Sequence, residues 1–313
     1  MRATVVITTK SRRDELRTAI KSALEQTGAP EVLVIDDGST DDTAEMVRQE
    51  FPKVTLVSHR ESRGLIVRRN EAARVARGEV IFSIDDDAEF SSPDIVRQTL
   101  EAFSDSRIAA VAIPYIDVKK NPAVRQLAPD AENVWITDSF IGTAHAVRRD
   151  VFLTMNGYRE HLVHQGEEGD LCLRMLESGW LVRLGCSKPV FHHESPRRDF
   201  RRMDFYGRRN DVLFAWHNVP TSWLLFHLIA TTKNGILFGL RVGRPWRMLT
   251  GLLRGYLDCL RYWRRREPVN VGTYKLSRML KKKGACKIQE VESRLQRVVG
   301  AKDTDRSSAS LPL

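Results

Sequence analysis

Cysteine is scarce in this chain. Its four residues in 313, Cys172, Cys186, Cys259 and Cys286, lie far apart and form no CxxC pair. A disulfide framework is therefore not expected, and reduced thiols in a cytoplasmic protein are. An unbroken apolar run of membrane-spanning length is also missing. The stretch between Asp211 and Lys233 carries no formal charge, yet His217, Asn218, Pro220, Ser222 and His227 interrupt it. That is too polar to read as a span. The chain opens directly into a strand-like run, Ala3–Ile7, so a signal peptide is not expected. No internal repeat occurs. Acid is short relative to base, with 40 Asp and Glu against 50 Lys and Arg, a net charge of +10. This surplus favours phosphate-bearing small molecules or an anionic membrane. A nucleic acid partner is not expected, because no reader motif accompanies the basic residues.

Hydrophobic residues make up 42% of the chain, enough for a sizeable core. In the first half, short β-branched runs alternate with helical patterns. Ala3–Thr8, Glu31–Ile35, Val54–Ser58 and Val80–Ile84 read as strands. Helical spacing follows the first (Leu16, Ile20, Ala23, Leu24), and Ser39–Asp42 offers N-caps for a helix after the second. Leu65–Ala76 reads as the third helix. Four βα units predict an α/β fold, a mostly parallel central sheet flanked by helices. Ile108–Pro114 would extend it, Leu181–Leu184 and Pro189–His192 read as further strands, and residues 115–133 read as a loop. Helices are expected at Arg149–Asn156 and Asp170–Ser178, each closed by a glycine. Beyond Pro196 arginine crowds the chain, and helical segments run from Ser222 to Arg266, with short helices expected at Tyr274–Leu280 and Ile288–Val298. The expected division is a main domain over residues 1–220, a helical basic extension over 221–300 and a disordered tail over 301–313.

The triplet Asp85-Asp86-Asp87 ends the run Val80–Ile84. A buried strand thus delivers three carboxylates to its C-terminal tip, where open α/β sheets bind ligands. Acids so close repel unless a cation joins them. Two carboxylates flanking one residue can hold Mg²⁺ or Mn²⁺ and leave positions for phosphate oxygens.

The order of motifs is more specific than any single one. TVVITTKSRRDEL is followed by EVLVIDDGSTDDT, then SRGLIVRRNEAARVARGEVIFSIDDDAEF, then HQGEEGDLCLRMLESGW and PVFHHESP. The series resembles the inverting nucleotide-sugar transferases of glycosyltransferase family 2, over roughly residues 1–220. The resemblance implies the GT-A fold, with a helical C-terminal extension. It implies transfer of a sugar from a nucleotide-diphospho-sugar donor to a hydroxyl of a glycan or lipid-linked acceptor, with a divalent metal as cofactor.

It also implies roles for particular residues. Asp37 would accept a hydrogen bond from the nucleotide base, as an acceptor-only carboxylate can, with Thr8 and Thr9 lining the base pocket. A turn and helix cap is the local alternative. Arg69 would reach the diphosphate or brace the acids. Asp85 and Asp87 match the D-x-D pair, with Asp87 on the metal and Asp85 nearer the ribose or the metal's waters; Asp86 would count among the nucleotide-sugar-binding residues or else face away. Glu168 stands where the family places a catalytic aspartate, so it would be the general base, with Glu167 the alternative and Asp170 a helix cap. His192 would be a metal ligand or phosphate contact, or a strand-end histidine bonded to backbone. Gly142 would let backbone approach the sugar. Arg208-Arg209-Asn210 is similar to a Y-x-x-R-N element of some members. The processive synthases' Q-x-x-R-W is absent, which favours addition of a single sugar.

Two rivals are weaker. A sugar-nucleotide nucleotidyltransferase would want a glycine-rich loop after the first strand, and TTKSRRDEL has no glycine. A non-catalytic nucleotide-sugar-binding protein would not need the acids, and they are present. The mix of arginine with Trp223, Trp246, Tyr256, Tyr262 and Trp263 suits peripheral contact with the inner face of the plasma membrane.

Overall fold

The computed structural model of the chain describes residues 1–194 and 199–295. The expected tail, the last residues of the 288–298 helix, and Arg197 and Arg198 lie outside the described residues. The chain begins with β1 (Ala3–Thr9), α1 (Arg13–Leu24), β2 (Glu31–Asp36), α2 (Thr43–Glu50), β3 (Thr55–Ser58), α3 (Leu65–Val75) and β4 (Val80–Asp85). β1 is covered on both faces, which is why it reads as continuous apolar sequence with no alternation. α1 buries Leu16, Ala19, Ile20 and Ala23 along one stripe. These strands form the parallel block β4-β1-β2-β3. Their register sets Thr8 beside Asp85 and Thr9 beside Asp36, so three strand ends stand level.

Next come β5 (Ala88–Phe90), α4 (Ile95–Glu101), β6 (Ile108–Ala112), β7 (Tyr115–Asp117), β8 (Asn121–Arg125), β9 (Trp135–Thr137), β10 (Ala144–Arg148), α5 (Arg149–Thr154), α6 (Glu167–Glu177), β11 (Leu181–Leu184) and β12 (Val190–His192). β10 inserts antiparallel between β4 and β6. The main sheet runs β13-β9-β11-β6-β10-β4-β1-β2-β3, where β13 is Cys286–Lys287. One apolar cluster packs on each side of it.

Residues 115–133 are not only a loop. β7 and β8 pair there, and β7 runs parallel to β12 in a second sheet ordered β5-β12-β7-β8. Pro122 hid this strand from the sequence pattern. It is tolerated because β8 is an exposed edge. The helix expected from Asp170 begins three residues earlier, after the left-handed Gly166 (φ 85°).

The C-terminal part is helical, with α7 (Phe200–Asn218), α8 (Thr221–Arg241), α9 (Pro245–Arg261) and α10 (Val271–Lys283). α7 lies within the arginine-crowded stretch where no helix was expected. It buries Val212, Leu213 and Ala215. Two glycines let α9 close on it. A Cβ at Gly251 would stand 2.5 Å from the Phe205 carbonyl oxygen, and one at Gly255 2.8 Å from that of Arg209. The Arg209–Asp258 ion pair ties the same crossing.

Candidate active site

The strand register explains the acid cluster. β4 ends level with β1, and the three acids diverge from its tip. Asp85 accepts from Arg69 Nη2 at 2.8 Å. Asp86 turns to β1, accepting from Thr9 Oγ1 and from Arg12 Nη1, each at 2.8 Å. Burial raises the Asp86 carboxyl to about 7, against the pull of Arg12. Asp87 faces His192, with Oδ1 3.4 Å from Nε2. β12 brings that histidine in, and Asp117 on the neighbouring β7 holds its Nδ1 at 2.6 Å. Burial opposes charging of the imidazole, but Asp87 and Asp117 raise its pKa to about 9. Ligand atoms of Asp85, Asp87 and His192 lie within 4.8 Å of one another. Two carboxylates plus an imidazole oriented through its far nitrogen fit a Mg²⁺ or Mn²⁺ ion.

A cavity of about 490 Å³ opens beside this cluster, lined by Thr8, Asp37, the three acids and His192, with the 164–165 turn opposite. Thr8 Oγ1 is buried and has no hydrogen-bond partner among the described residues. Thr9 is committed to Asp86. Asp36 and Asp37 divide their labour. Asp36 accepts from Ser39 and Ser58 and closes the turn. Asp37 accepts four bonds, from Ser62 Oγ, the Arg63 and Gly64 amides and Arg68 Nε. Burial would raise its pKa, but these donors hold it below the ordinary value. Asp37 therefore shapes the 61–64 loop as well as facing the cavity.

Arg69 joins the acid cluster to α6. Its Nη2 also donates to the Gly142 carbonyl at 3.0 Å. Its Nη1 lies 3.9 Å from Glu167 and 3.8 Å from Glu168. Burial and the neighbouring acids push both glutamates above the ordinary range, with Arg69 opposing. Glu167 is the deeper, 2% exposed, and its Oε2 has no hydrogen-bond partner among the described residues. The Glu168 side chain is 19% exposed. Gly142 lets the ends of the Glu168 and Arg69 side chains lie against its backbone. A Cβ would stand 2.3 Å from Glu168 Oε1 and 2.8 Å from Arg69 Nη1.

Residues 4–159 match the family model described as Glycosyl transferase family 2. The chain belongs to glycosyltransferase family 2. Among its relatives, the succinoglycan biosynthesis protein ExoU of Rhizobium meliloti is 31% identical, over 56% of this chain and 57% of that protein. The chain thus spans little more than half of that relative. The O-antigen chain rhamnosyltransferase RfbN of Salmonella typhimurium is 23% identical over 80% of this chain and 91% of its own length. The fold is that of the mannosyltransferase PcManGT from Pyrobaculum calidifontis, solved with GDP-Man and Mn²⁺ (TM-score 0.55, 19% identity, 83% of this chain and 75% of that one). S. aureus TarS 1-349 with UDP is a second neighbour (TM-score 0.56, 16% identity, 69% and 65%).

For this family 2 chain the sequence motifs left out several supporting residues. Arg12, in the basic run after β1, pairs with Asp86 and lies 3.3 Å from Asp87. Asp117 sits in the segment read as a loop. The loop that presents Glu167 and Glu168 holds Val163, Gln165 and Gly166 at φ 66°, 68° and 85°. Left-handed backbone costs the two non-glycine residues roughly 1–3 kcal/mol each. α7 secures it. Asn210 Nδ2 donates to the carbonyls of Leu162, His164 and Gln165 at 2.8, 2.8 and 2.7 Å. Arg209 donates to that of His161 at 3.0 Å. Asp170 is not the expected cap. It is buried between Arg159 at 2.6 Å and Arg174, one turn further along α6, at 2.9 Å, and ties α6 to Arg159.

Proposed function

We propose that this protein transfers a single sugar, with inversion, from a nucleotide-diphospho-sugar to an acceptor hydroxyl in the synthesis of a cell-surface polysaccharide or O-antigen. The observation that carries the reading is the bridge made by Arg69. One guanidinium touches Asp85 on the donor side and approaches Glu167 and Glu168 on the acceptor side. The nucleotide would lie in the cavity beside Thr8 and Asp37, as the GDP-Man and UDP complexes of the neighbours suggest. Asp85, Asp87 and His192 would hold a divalent ion, which supplies charge neutralisation at the departing diphosphate. Glu168 takes the proton of the acceptor hydroxyl, whose oxygen attacks the anomeric carbon from the face opposite the leaving group. The C–O bond to the acceptor forms as the bond to the diphosphate breaks, so the anomeric centre inverts and no covalent enzyme intermediate is needed.

UDP-, dTDP- and GDP-sugars with Mn²⁺ test this. A true donor stabilises the fold by mass action, and its Tm rise should be several degrees, on the order of 2–4 °C per kcal/mol. Slow hydrolysis of the same donor should follow. Stabilisation that is indifferent to Mn²⁺ and to the sugar counts against the reading.

The proposed domain division and location rest on the C-terminal helices. α8, with 21 residues, is the one helix among the described residues long and apolar enough to cross a membrane. Two of its polar residues are engaged sideways. His227 bonds Tyr274 and Thr232 bonds Tyr256. Its glycines Gly235 and Gly239 pack on Leu252 and Met248 of α9. Leu225, Phe226, Ile229 and Leu240 of α8 and Trp246, Leu253, Leu257 and Leu260 of α9 remain exposed. This face would lie in the cytoplasmic leaflet. In flotation, the protein should rise with anionic vesicles at low salt, since each arginine near the surface adds about 1 kcal/mol. Recovery should fall at high salt. Equal failure to float on anionic and neutral vesicles refutes this placement.

A further inference from the structure

A groove of about 730 Å³ runs between α8 and α10 and ends at α6. It is separate from the cavity beside the acid cluster, and the 164–166 turn stands between them: His164 and Gln165 line one, Gly166 the other. The two long walls differ in chemistry. α8 contributes Trp223, Phe226 and Ala230, with Phe214 of α7 below. α10 contributes Lys275, Arg278 and Lys281, and α7 contributes Arg208. Arg208 is paired with Asp211 at 2.9 Å. Lys275, Arg278 and Lys281 are exposed and form no ion pair among the described residues. The carboxylates in the lining are Asp211 and Asp138. At the inner end Gly169, next to Glu168, leaves open space where a side chain would project. At the outer end Trp223 and Phe226 belong to the exposed apolar face of α8.

We infer that this groove binds a lipid phosphate or diphosphate, a hydrocarbon chain joined through phosphate to the sugar that accepts transfer. The argument is charge and polarity along one axis. Phosphate oxygens meet the unpaired cations of α10, favoured as charge-assisted contacts. The first hydrocarbon units lie on Trp223 and Phe226, and the chain leaves along α8 toward the bilayer. The sugar end is directed to the first turn of α6, where Gly169 makes room beside Glu168. The inference rests on the transferase reading, because it makes the groove the acceptor's site. Flat contact with anionic lipid alone would not need a groove that reaches the carboxylate-bearing helix.

Farnesyl diphosphate is a water-soluble probe of this chemistry. It can be titrated against the full chain in EDTA, following tryptophan fluorescence, so that metal-assisted binding at the acid cluster is suppressed. Saturable binding is expected. The double variant Lys275→Glu, Arg278→Glu should weaken it by roughly tenfold or more, the scale of losing charge-assisted contacts. Gly169→Leu fills only the sugar end and should leave the affinity of this sugar-free probe unchanged. Both variants should keep UDP or GDP binding with Mn²⁺, which reports the fold and the donor site. Unchanged probe affinity in the charge-reversal variant overturns the inference. So does displacement of the probe by inorganic diphosphate at equal concentration, because the apolar wall then contributes nothing. If the charge reversal abolishes flotation on anionic vesicles but leaves probe binding intact, the cations serve the membrane surface instead and the inference fails. Loss of nucleotide binding in the unmodified chain, with probe binding intact, would sink the transferase reading and leave the lipid phosphate site standing.

Discussion

Glu168→Gln should leave donor binding nearly intact and lower transfer by roughly 10²-fold or more, the scale of losing a general base. The amide keeps the volume beside Gly142 and Arg69, but it cannot take the acceptor's proton. Glu167→Gln should be milder. Glu167 is the more buried of the two, and burial pushes its carboxyl up, so an amide resembles the neutral acid already favoured there. The pH profile adds a second readout. Burial raises Glu168 above the ordinary carboxylate range, with Arg69 opposing. A base with a raised pKa is protonated, and useless, below that value. Transfer should therefore fall as pH drops through a point above the usual carboxylate range, and that limb should be missing from the residual activity of Glu168→Gln. Sugar transfer and nucleotide affinity, measured for both variants, decide the assignment. A dead Glu167→Gln with an active Glu168→Gln moves the base by one residue. Two active variants would mean that the G-E-E-G-D-L motif does other work.

What the sequence made legible follows from periodicity and from strand ends. The βα units were readable because β1, β2 and β4 are buried along nearly their whole length and α1 keeps one apolar stripe, whereas β3 is only half-buried and α3 buries Arg68, Arg69 and Asn70 beside its apolar residues. β4-β1-β2-β3 is the parallel block they predict. The antiparallel insertion of β10 between β4 and β6 was not readable, because strand order depends on contacts between distant segments. β7 and β8 were hidden by Pro122 and by their shortness. With them went Asp117, the residue that orients His192. The proximity of Asp85, Asp87 and His192 agrees with the motif order, yet 105 positions, from 87 to 192, separate its last two members. Only the second sheet, where β12 pairs with both β5 and β7, brings them together. Asn210 shows the opposite case. Its motif was visible, but its work was not, because a side-chain amide that gathers three carbonyls of a left-handed loop leaves no periodic trace.

Asp87→Ala should remove most Mn²⁺-dependent affinity for a nucleoside diphosphate and lower turnover on the order of 10²-fold or more, the scale of losing one group that stabilises developing charge. The motive is the convergence of Asp87 Oδ1 and His192 Nε2 at 3.4 Å with Asp85 alongside. The substitution removes a hard oxygen ligand and leaves one carboxylate and one imidazole, too few anionic donors for a hard cation. The fold should survive it. Arg12 keeps Asp86 at 2.8 Å, His192 keeps Asp117 at 2.6 Å, and the Asp87 carbonyl still accepts the His193 amide at 2.9 Å. Asp86→Asn makes the contrast. Asp86 is buried on Thr9 and Arg12, so its loss should act on stability more than on metal dependence. Calorimetric titration of UDP, dTDP and GDP, with Mn²⁺ and with EDTA, separates the two variants. In the unmodified chain EDTA should reproduce the affinity loss of Asp87→Ala, and in the variant EDTA should add little. If Asp87→Ala keeps both full turnover and the Mn²⁺ effect on affinity, the ion is held elsewhere and the Asp85–Asp87–His192 cluster is only a charge network that closes the second sheet onto the first.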